Sequence, residues 1–362
     1  MKHTATALIL ALGAATAFTA TAQTTQKLSA GKVNEYGLIY SLPTTTLNIT
    51  LEAERTVKAP GEFFKYAKKY LGEEPITEPS SRYVLKSVTI TPQAVTDPEE
   101  RYLVQFKAGS TPFMIINDAN MPLAINTETV ETIEEPALPV AVPAQPTILE
   151  LPAAKQAVTA EMLQSPSSAK RAELAAARIY ELRETRSDIL AGQAENMPAD
   201  GKAMQLVLDN LAAQEEALTA MFLGTVSTST DVTTVSITPG ATNPREVIAR
   251  LSMTDGFVSP DNLSGAPIYL DLSVTERGKL PVNEKGEEKR FPKGGLAYRI
   301  PGKAKVTVTY EGERMAEKTI DVAQYGVVFG LDPNLFTDKK APAYAIFNPL
   351  TGAVVEIGTI AE

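Results

Sequence analysis

Cysteine and tryptophan are absent from this 362-residue chain, and histidine occurs once, at His3. That histidine lies in a stretch with a positive start at Lys2, an apolar run over residues 5–18 and a small-residue exit at Ala20, Thr21 and Ala22. The three parts match a secretory signal peptide with an A-x-A cleavage site. Cleavage after Ala22 would start the mature protein at Gln23, with neither histidine nor cysteine in it. That excludes Ser-His-Asp and Cys-His nucleophiles, histidine general bases and ordinary zinc or haem ligation. No cofactor and no metal site is expected. Without thiols there is also no disulfide framework and no cysteine to carry a lipid, so apolar cores must hold the fold unaided.

What is present is an ordinary globular balance, 44% hydrophobic and 21% charged, so wholesale disorder is not expected. The formal net charge of −9 becomes more negative once Lys2 is removed, which makes nucleic acid a poor partner. No run after the leader approaches the ~18 apolar residues of a spanning helix. The length suits two or three structural units.

Apolar and polar residues alternate over 37–43 and 47–52, the period of half-buried strands. Residues 61–71 read as a short amphipathic helix stopped by Gly72. Strands are expected at 83–91 and 101–107 around a turn at Thr96, Asp97, Pro98 and Glu99, and a further strand or hairpin over 113–125. Residues 128–158 are acidic (Glu128, Glu131, Glu134, Glu135), then proline-rich, a stiff linker or a strap along a sheet edge. Helical spacing returns at Ala172, Ala175, Ile179, Leu182, Arg186 and Ile189, and again at Met204, Val207, Leu211, Leu218 and Phe222. The break at 196–201 has the length of a helix–helix connection. From 224 onward the pattern is again that of strands, closing in a hairpin over 344–357, with a polar loop at 276–293. The organisation expected is a signal peptide (1–22), an N-terminal β-rich module (23–127), the linker (128–158), an antiparallel α-helical hairpin (159–223) and a C-terminal β-rich module (224–362). The fold class is α+β, two β-rich sandwich-like modules flanking the helical hairpin.

The β segments echo each other. GLIYSLP at 37–43 recurs as GLAYRIP at 295–301, followed by LNITLEAER at 47–55 and VTVTYEGER at 306–314. A second pair, VTITP at 88–92 and VSITP at 235–239, leads into Thr-Asp-Pro or Thr-Asn-Pro. The pairs fall in different orders in the two halves, so a plain tandem duplication does not account for both.

Chemistry that needs no histidine has few candidates. Ser167 and Lys170 form an S-x-x-K pattern, but its S-D-N and K-T-G partners are absent and Ser167 stands where it would cap a helix. Glu52 and Glu54, with their echoes Glu311 and Glu313, share a strand face and could in principle act on glycosidic bonds, although carboxylates on a solvent face are ordinarily solvated and tryptophan platforms are missing. Asp97, Glu99, Glu100, Asp332 and Asp338 are calcium-type ligands without a calcium loop; turn formation accounts better for Asp97 and Asp332, each followed by proline. Tyr36, Tyr40, Phe63, Phe64, Tyr66 and Tyr70 cluster as core aromatics or, if exposed, as a partner surface.

KLSAGK at 27–32 and NEYGLIYSLP at 34–43 resemble the start of domain-of-unknown-function family 4831, secreted proteins of Bacteroidota. The middle (EML at 161–163, RIY at 178–180, RETR at 183–186, PADG at 198–201, AQEEAL at 213–218) and the end (VAQYG at 322–326, FNPLTGA at 347–353) are similar to it as well. The resemblance implies an envelope location in a Gram-negative host and no activity. The function expected is that of an exported, non-catalytic envelope protein, periplasmic or outer-membrane-associated, with another envelope protein or a surface glycan as partner. The alternative is a histidine-free, carboxylate-based glycan hydrolase or a carbohydrate-binding module.

Overall fold

The computed structural model describes residues 24–28, 37–105, 113–134, 136–197, 201–336 and 341–360. The expected leader, Tyr36, Glu135 and Asp338 lie outside the described residues. In chain order the elements are β1 (Thr24–Lys27), β2 (Leu38–Ala59), α1 (Ala67–Tyr70), β3 (Ser80–Gln105), β4 (Met114–Ile116) and β5 (Pro122–Ile125). Then come α2 (Pro152–Ala157), α3 (Ala160–Gln164), α4 (Ser168–Ala191) and α5 (Lys202–Leu223). The remainder is β6 (Thr225–Ile237), β7 (Glu246–Ser252), β8 (Gly256–Val258), β9 (Ala266–Glu276), β10 (Leu296–Tyr310), β11 (Glu313–Leu331), β12 (Ala343–Phe347) and β13 (Val354–Thr359). The molecule is mostly β, with several antiparallel sheets.

The strands form three sheets, ordered β1-β3-β2-β6, β11-β10-β9-β7-β8 and β13-β12-β5-β4. Alternation decides which residues turn inward. Leu47, Ile49, Leu51 and Ala53 of β2 face Val306 and Val308 of β10 and Ile320 and Val322 of β11 in one core, shared by the first two sheets. A second core joins Tyr40, Leu42, Tyr102 and Val104 to Leu296, Ala297 and Leu331, and to Met114, Ile125, Ala345 and Phe347 of the third sheet. Two sandwich-like modules were expected. Instead the two β segments share sheets and cores: β6 joins β1, β2 and β3, β12 and β13 join β4 and β5, and the apolar sheet faces cover one another.

Four expected strands are two. Residues 37–43 and 47–52 lie in the single strand β2, and 83–91 and 101–107 belong largely to β3. Pro43 and the 96–99 turn do not end these strands; they interrupt the ladder locally. The expected helix over 61–71 is a 3-10 turn (Phe64–Tyr66) followed by α1, with Gly72 in the left-handed region after it.

Helices α4 and α5 are the two longest. Ile179 and Leu182 share a buried cluster with Leu218 and Phe222, with Leu211 at its margin. Arg183 and Arg186 both pair with Glu215, at 2.7 and 2.9 Å. Buried alanines at 172, 175, 176 and 217 let the backbones approach. Phe63 and Ala67 enter the same cluster, so the chain leaving β2 is packed onto the helices. The proline-rich stretch crosses β6 at Val142, whose N–H and carbonyl bond Thr230 at 2.9 and 2.8 Å. No helix among the described residues is long and apolar enough to cross a membrane.

Candidate functional site

The strand pairs β2–β3 and β10–β11 each shift register twice, once widely and once by a single residue, at Glu52/Ala53 and Val308/Thr309. In β2–β3 the ladder steps from Ser41–Arg101 to Pro43–Thr96, so residues 97–100 bulge out opposite Leu42. In β10–β11 it steps from Ile300–Val327 to Gly302–Val322, and residues 323–326 bulge out opposite Pro301. Proline has no N–H to give a ladder, which is why the interruption falls at Pro43 and Pro301. The first echo therefore occupies matching places in the two facing sheets. The second does not: VTITP and VSITP lie on the two strands flanking β2, where Ile90 and Val235 both stand opposite Ile49.

The two bulges lie along the strands between the two β cores, and each reaches the other strand pair. From the first, Asp97 holds Arg299 of β10 in an ion pair whose guanidinium side chain is only 7% exposed. From the second, Ala323 N–H donates to Thr45 Oγ1 at 2.9 Å, and Gln324 closes a two-way bond with the Thr45 backbone, receiving from its N–H and donating to its carbonyl at 2.9 Å each. The Gln324 amide also donates to the Pro239 carbonyl at 3.1 Å. Gly326 is required here, because a Cβ would stand 1.9 Å from the Ile300 carbonyl oxygen. The turn 348–352 closes over the same place: Arg299 N–H donates to the Gly352 carbonyl at 3.0 Å, and a Cβ on Gly352 would press on Pro43. The segments GLIYSLP, VAQYG and FNPLTGA thus meet around these bulges.

Beside the first bulge is a cleft of about 360 Å³ lined by Thr25, Lys27, Glu100, Tyr102, Phe291 and Val328. Strand β1 forms one wall; it pairs with β3, and Thr25 N–H donates to the Gly294 carbonyl at 3.1 Å. Both oxygens of Glu100 are engaged, one by Lys27 Nζ at 2.6 Å and the other by the Tyr102 hydroxyl. Burial pushes the Tyr102 phenol well above the ordinary tyrosine value, and the bond to Glu100 and that carboxylate's charge act the same way. It is a fixed donor, not a base. Tyr102 stacks on Tyr40, ring centroids 5.6 Å apart, and the fully buried Tyr40 is likewise raised by desolvation. Phe291 stands 45% exposed at the cleft and packs edge-on against Phe329. The Thr25 hydroxyl and Arg299 Nε are buried without a hydrogen-bond partner.

A second cleft, of about 420 Å³, lies between the strap at Gln145–Ile148, the end of α5 and the start of β6. Its lining is mainly threonine, serine and apolar residues, with Glu216 as the one charged group.

The residues singled out from sequence are dispersed. Ser167 caps α4, accepting from Lys170 N–H at 3.4 Å, while Lys170 Nζ pairs with Glu173 at 2.8 Å. Glu52 accepts from Ser87 at 2.5 Å and Glu54 pairs with Lys86 at 2.9 Å, both on the solvent side of β2. Glu311 is not on a strand face beside Glu313. With Gly312 it makes the β10–β11 turn, φ 49° and 84°, the positive pair of a type I′ hairpin. Asp332 caps its own turn by accepting from Asn334 N–H at 2.9 Å. Glu99 is exposed, and its N–H donates to Asp97 at 2.9 Å. No group of acidic residues suited to a metal ion occurs among the described residues. Tyr40 and Phe63 are buried, and Tyr66 and Tyr70 pack against the helical cluster. Sequence reasoning passed over Lys27, Tyr102, Phe291 and Arg299. Alternation gave no signal for Arg299, since the apolar residues Leu296, Tyr298 and Ile300 put it on the other face of the strand, and its burial comes from the structure.

The family model described as "Domain of unknown function (DUF4831)" matches residues 36–355, and the chain belongs to that family. No curated protein and no solved structure matches it.

Proposed function

We propose that this is an exported protein of the bacterial cell envelope, periplasmic or outer-membrane-associated, with a structural or partner-binding role and no catalytic one. Its host on this reading is a member of the Bacteroidota, and its partner another envelope protein or a surface glycan. Export rests on the leader-like sequence of residues 1–22. The observation that carries the non-catalytic reading is the separate engagement of Glu52 and Glu54, one by Ser87 and one by Lys86, on the open side of a sheet. Glycoside hydrolysis needs two carboxyl groups facing one bond across about 5 to 10 Å. We also read α4 and α5 as an antiparallel hairpin acting as one unit, supported by the double ion pair of Glu215 and by the shared cluster around Ile179 and Leu218.

The alternative divides in two. Its hydrolase half gains nothing from Glu52 and Glu54, which are engaged separately, whereas its carbohydrate-binding half gains support from the cleft at Phe291. The test is a screen of the purified protein against peptidoglycan fragments, polysaccharides and peptides, together with N-terminal sequencing of the envelope form. No turnover and a start at Gln23 are expected. Turnover lost on Glu52→Ala or Lys170→Ala with unchanged melting would overturn the non-catalytic role, and a retained Met1 would overturn export.

A further inference from the structure

We infer that the cleft between β1 and Phe291 is a binding site for a neutral saccharide; the inference rests on the reading of the protein as a non-catalytic binder. At about 360 Å³ the cleft falls in the range of small-ligand sites, roughly 300 to 1,000 Å³. Its wall and rim are chemically divided. Phe291 presents an aromatic ring that is 45% exposed and held from behind by Phe329, with Val328 beside it. The apolar C–H face of a sugar ring lies well on such a surface, because aromatic rings bury area while favouring specific geometry. Across from it Glu100 and Lys27 form an ion pair at 2.6 Å.

This pair is suited to hydroxyl groups, each of which donates and accepts. A carboxylate has about four lone-pair sites and an ammonium three N–H donors. Lys27 and Tyr102 use one site on each oxygen of Glu100, and Glu100 takes one Lys27 donor. Acceptor and donor capacity therefore remain, in groups already held in place.

The same pairing decides the charge of the ligand. The lining holds one cation and one anion, already paired with each other, so a charged ligand meets no uncompensated counter-charge and carries the cost of lying beside a like one. A neutral polyol has no such cost. An extended peptide is disfavoured for a separate reason. The β1 wall has little ladder to offer it, because β1 pairs with β3 on one side and Thr25 N–H is tied to the Gly294 carbonyl on the other.

The test uses the full exported form and four probes: chitotetraose, mannotetraose, maltotetraose and, as the acidic control, sialyllactose. Titration calorimetry is expected to show binding of at least one neutral tetrasaccharide, and the sugar should be recovered intact. Phe291→Ala and Glu100→Gln should each weaken that binding by about tenfold or more. Phe291→Ala should leave the melting temperature unchanged, which keeps the test valid if the Glu100 variant loosens β1. Binding of none of the neutral probes, binding of sialyllactose alone, or affinity unaltered in both variants would overturn the inference. Recovery of a cleaved sugar would instead overturn the non-catalytic role while leaving the site in place.

Discussion

In β2–β3 the bulge at 97–100 faces Leu42, and in β10–β11 the bulge at 323–326 faces Pro301. The frame is common: a Gly-Leu-x-Tyr start, a proline at the interruption, and an alternating strand beyond it. The chemistry placed on that frame is not. The first bulge reads Asp-Pro-Glu-Glu and makes charged contacts, to Arg299 from Asp97 and to Lys27 and Tyr102 from Glu100. The second reads Ala-Gln-Tyr-Gly and makes neutral ones, to Thr45 and Pro239. Each fastens the opposite sheet, but only the charged bulge borders the cleft with the exposed aromatic ring. One frame thus serves twice as a fastener, and the copy with spare hydrogen-bonding capacity is the one placed for binding.

The largest effect should come from breaking the charged fastener. Arg299→Ala leaves Asp97 facing the interior without its partner, a change that costs about 3 kcal/mol or more for a buried pair. Denaturant unfolding should show that loss, and a variant as stable as the parent would mean that the Asp97 contact is incidental. Breaking the neutral fastener should cost less. Thr45→Val keeps the volume but leaves the Ala323 N–H without its acceptor, a loss of about 1 to 3 kcal/mol. If Thr45→Val proves more damaging than Arg299→Ala, the ranking of the two bulges is reversed.

The smallest effect concerns pH and is read at the charged bulge through Tyr102. Tyr102 is raised above its unfolded value of about 10, so its contribution to stability is complete below about pH 10. It is lost as the pH rises toward and through the raised value. The urea midpoint should therefore fall above about pH 10, less steeply in Tyr102→Phe than in the parent. Equal slopes in the two proteins would remove Tyr102 from the account.

Much of the local structure was legible in the sequence. Alternation located most of the strands, the S-x-x-K serine was recognisable as a cap, and the Thr-Asp-Pro-Glu run was recognisable as a place where the chain leaves a straight path. It was read as a turn between two strands, yet the chain resumes the same strand after it, because β2 supplies partners on both sides of the interruption. The echo shows the same limit at Ala53 and Gly312. Both follow a glutamate in otherwise similar strands. Alanine continues β2, while glycine accepts φ 84° and turns β10 back as β11.

The candidate site was barely legible. Asp97 and Glu100 were noticed as carboxylates, but their partners Arg299 and Lys27 stand 202 and 73 residues away. Period, composition and capping are properties of a short window, and from them the sequence by itself determined the strand-rich character, the helices and the exclusion of thiol chemistry. Which sheet covers which, and which charge meets which carboxylate, only the tertiary structure decided. Those contacts join segments far apart in the chain, and it is burial of two apolar sheet faces against each other that brings them together.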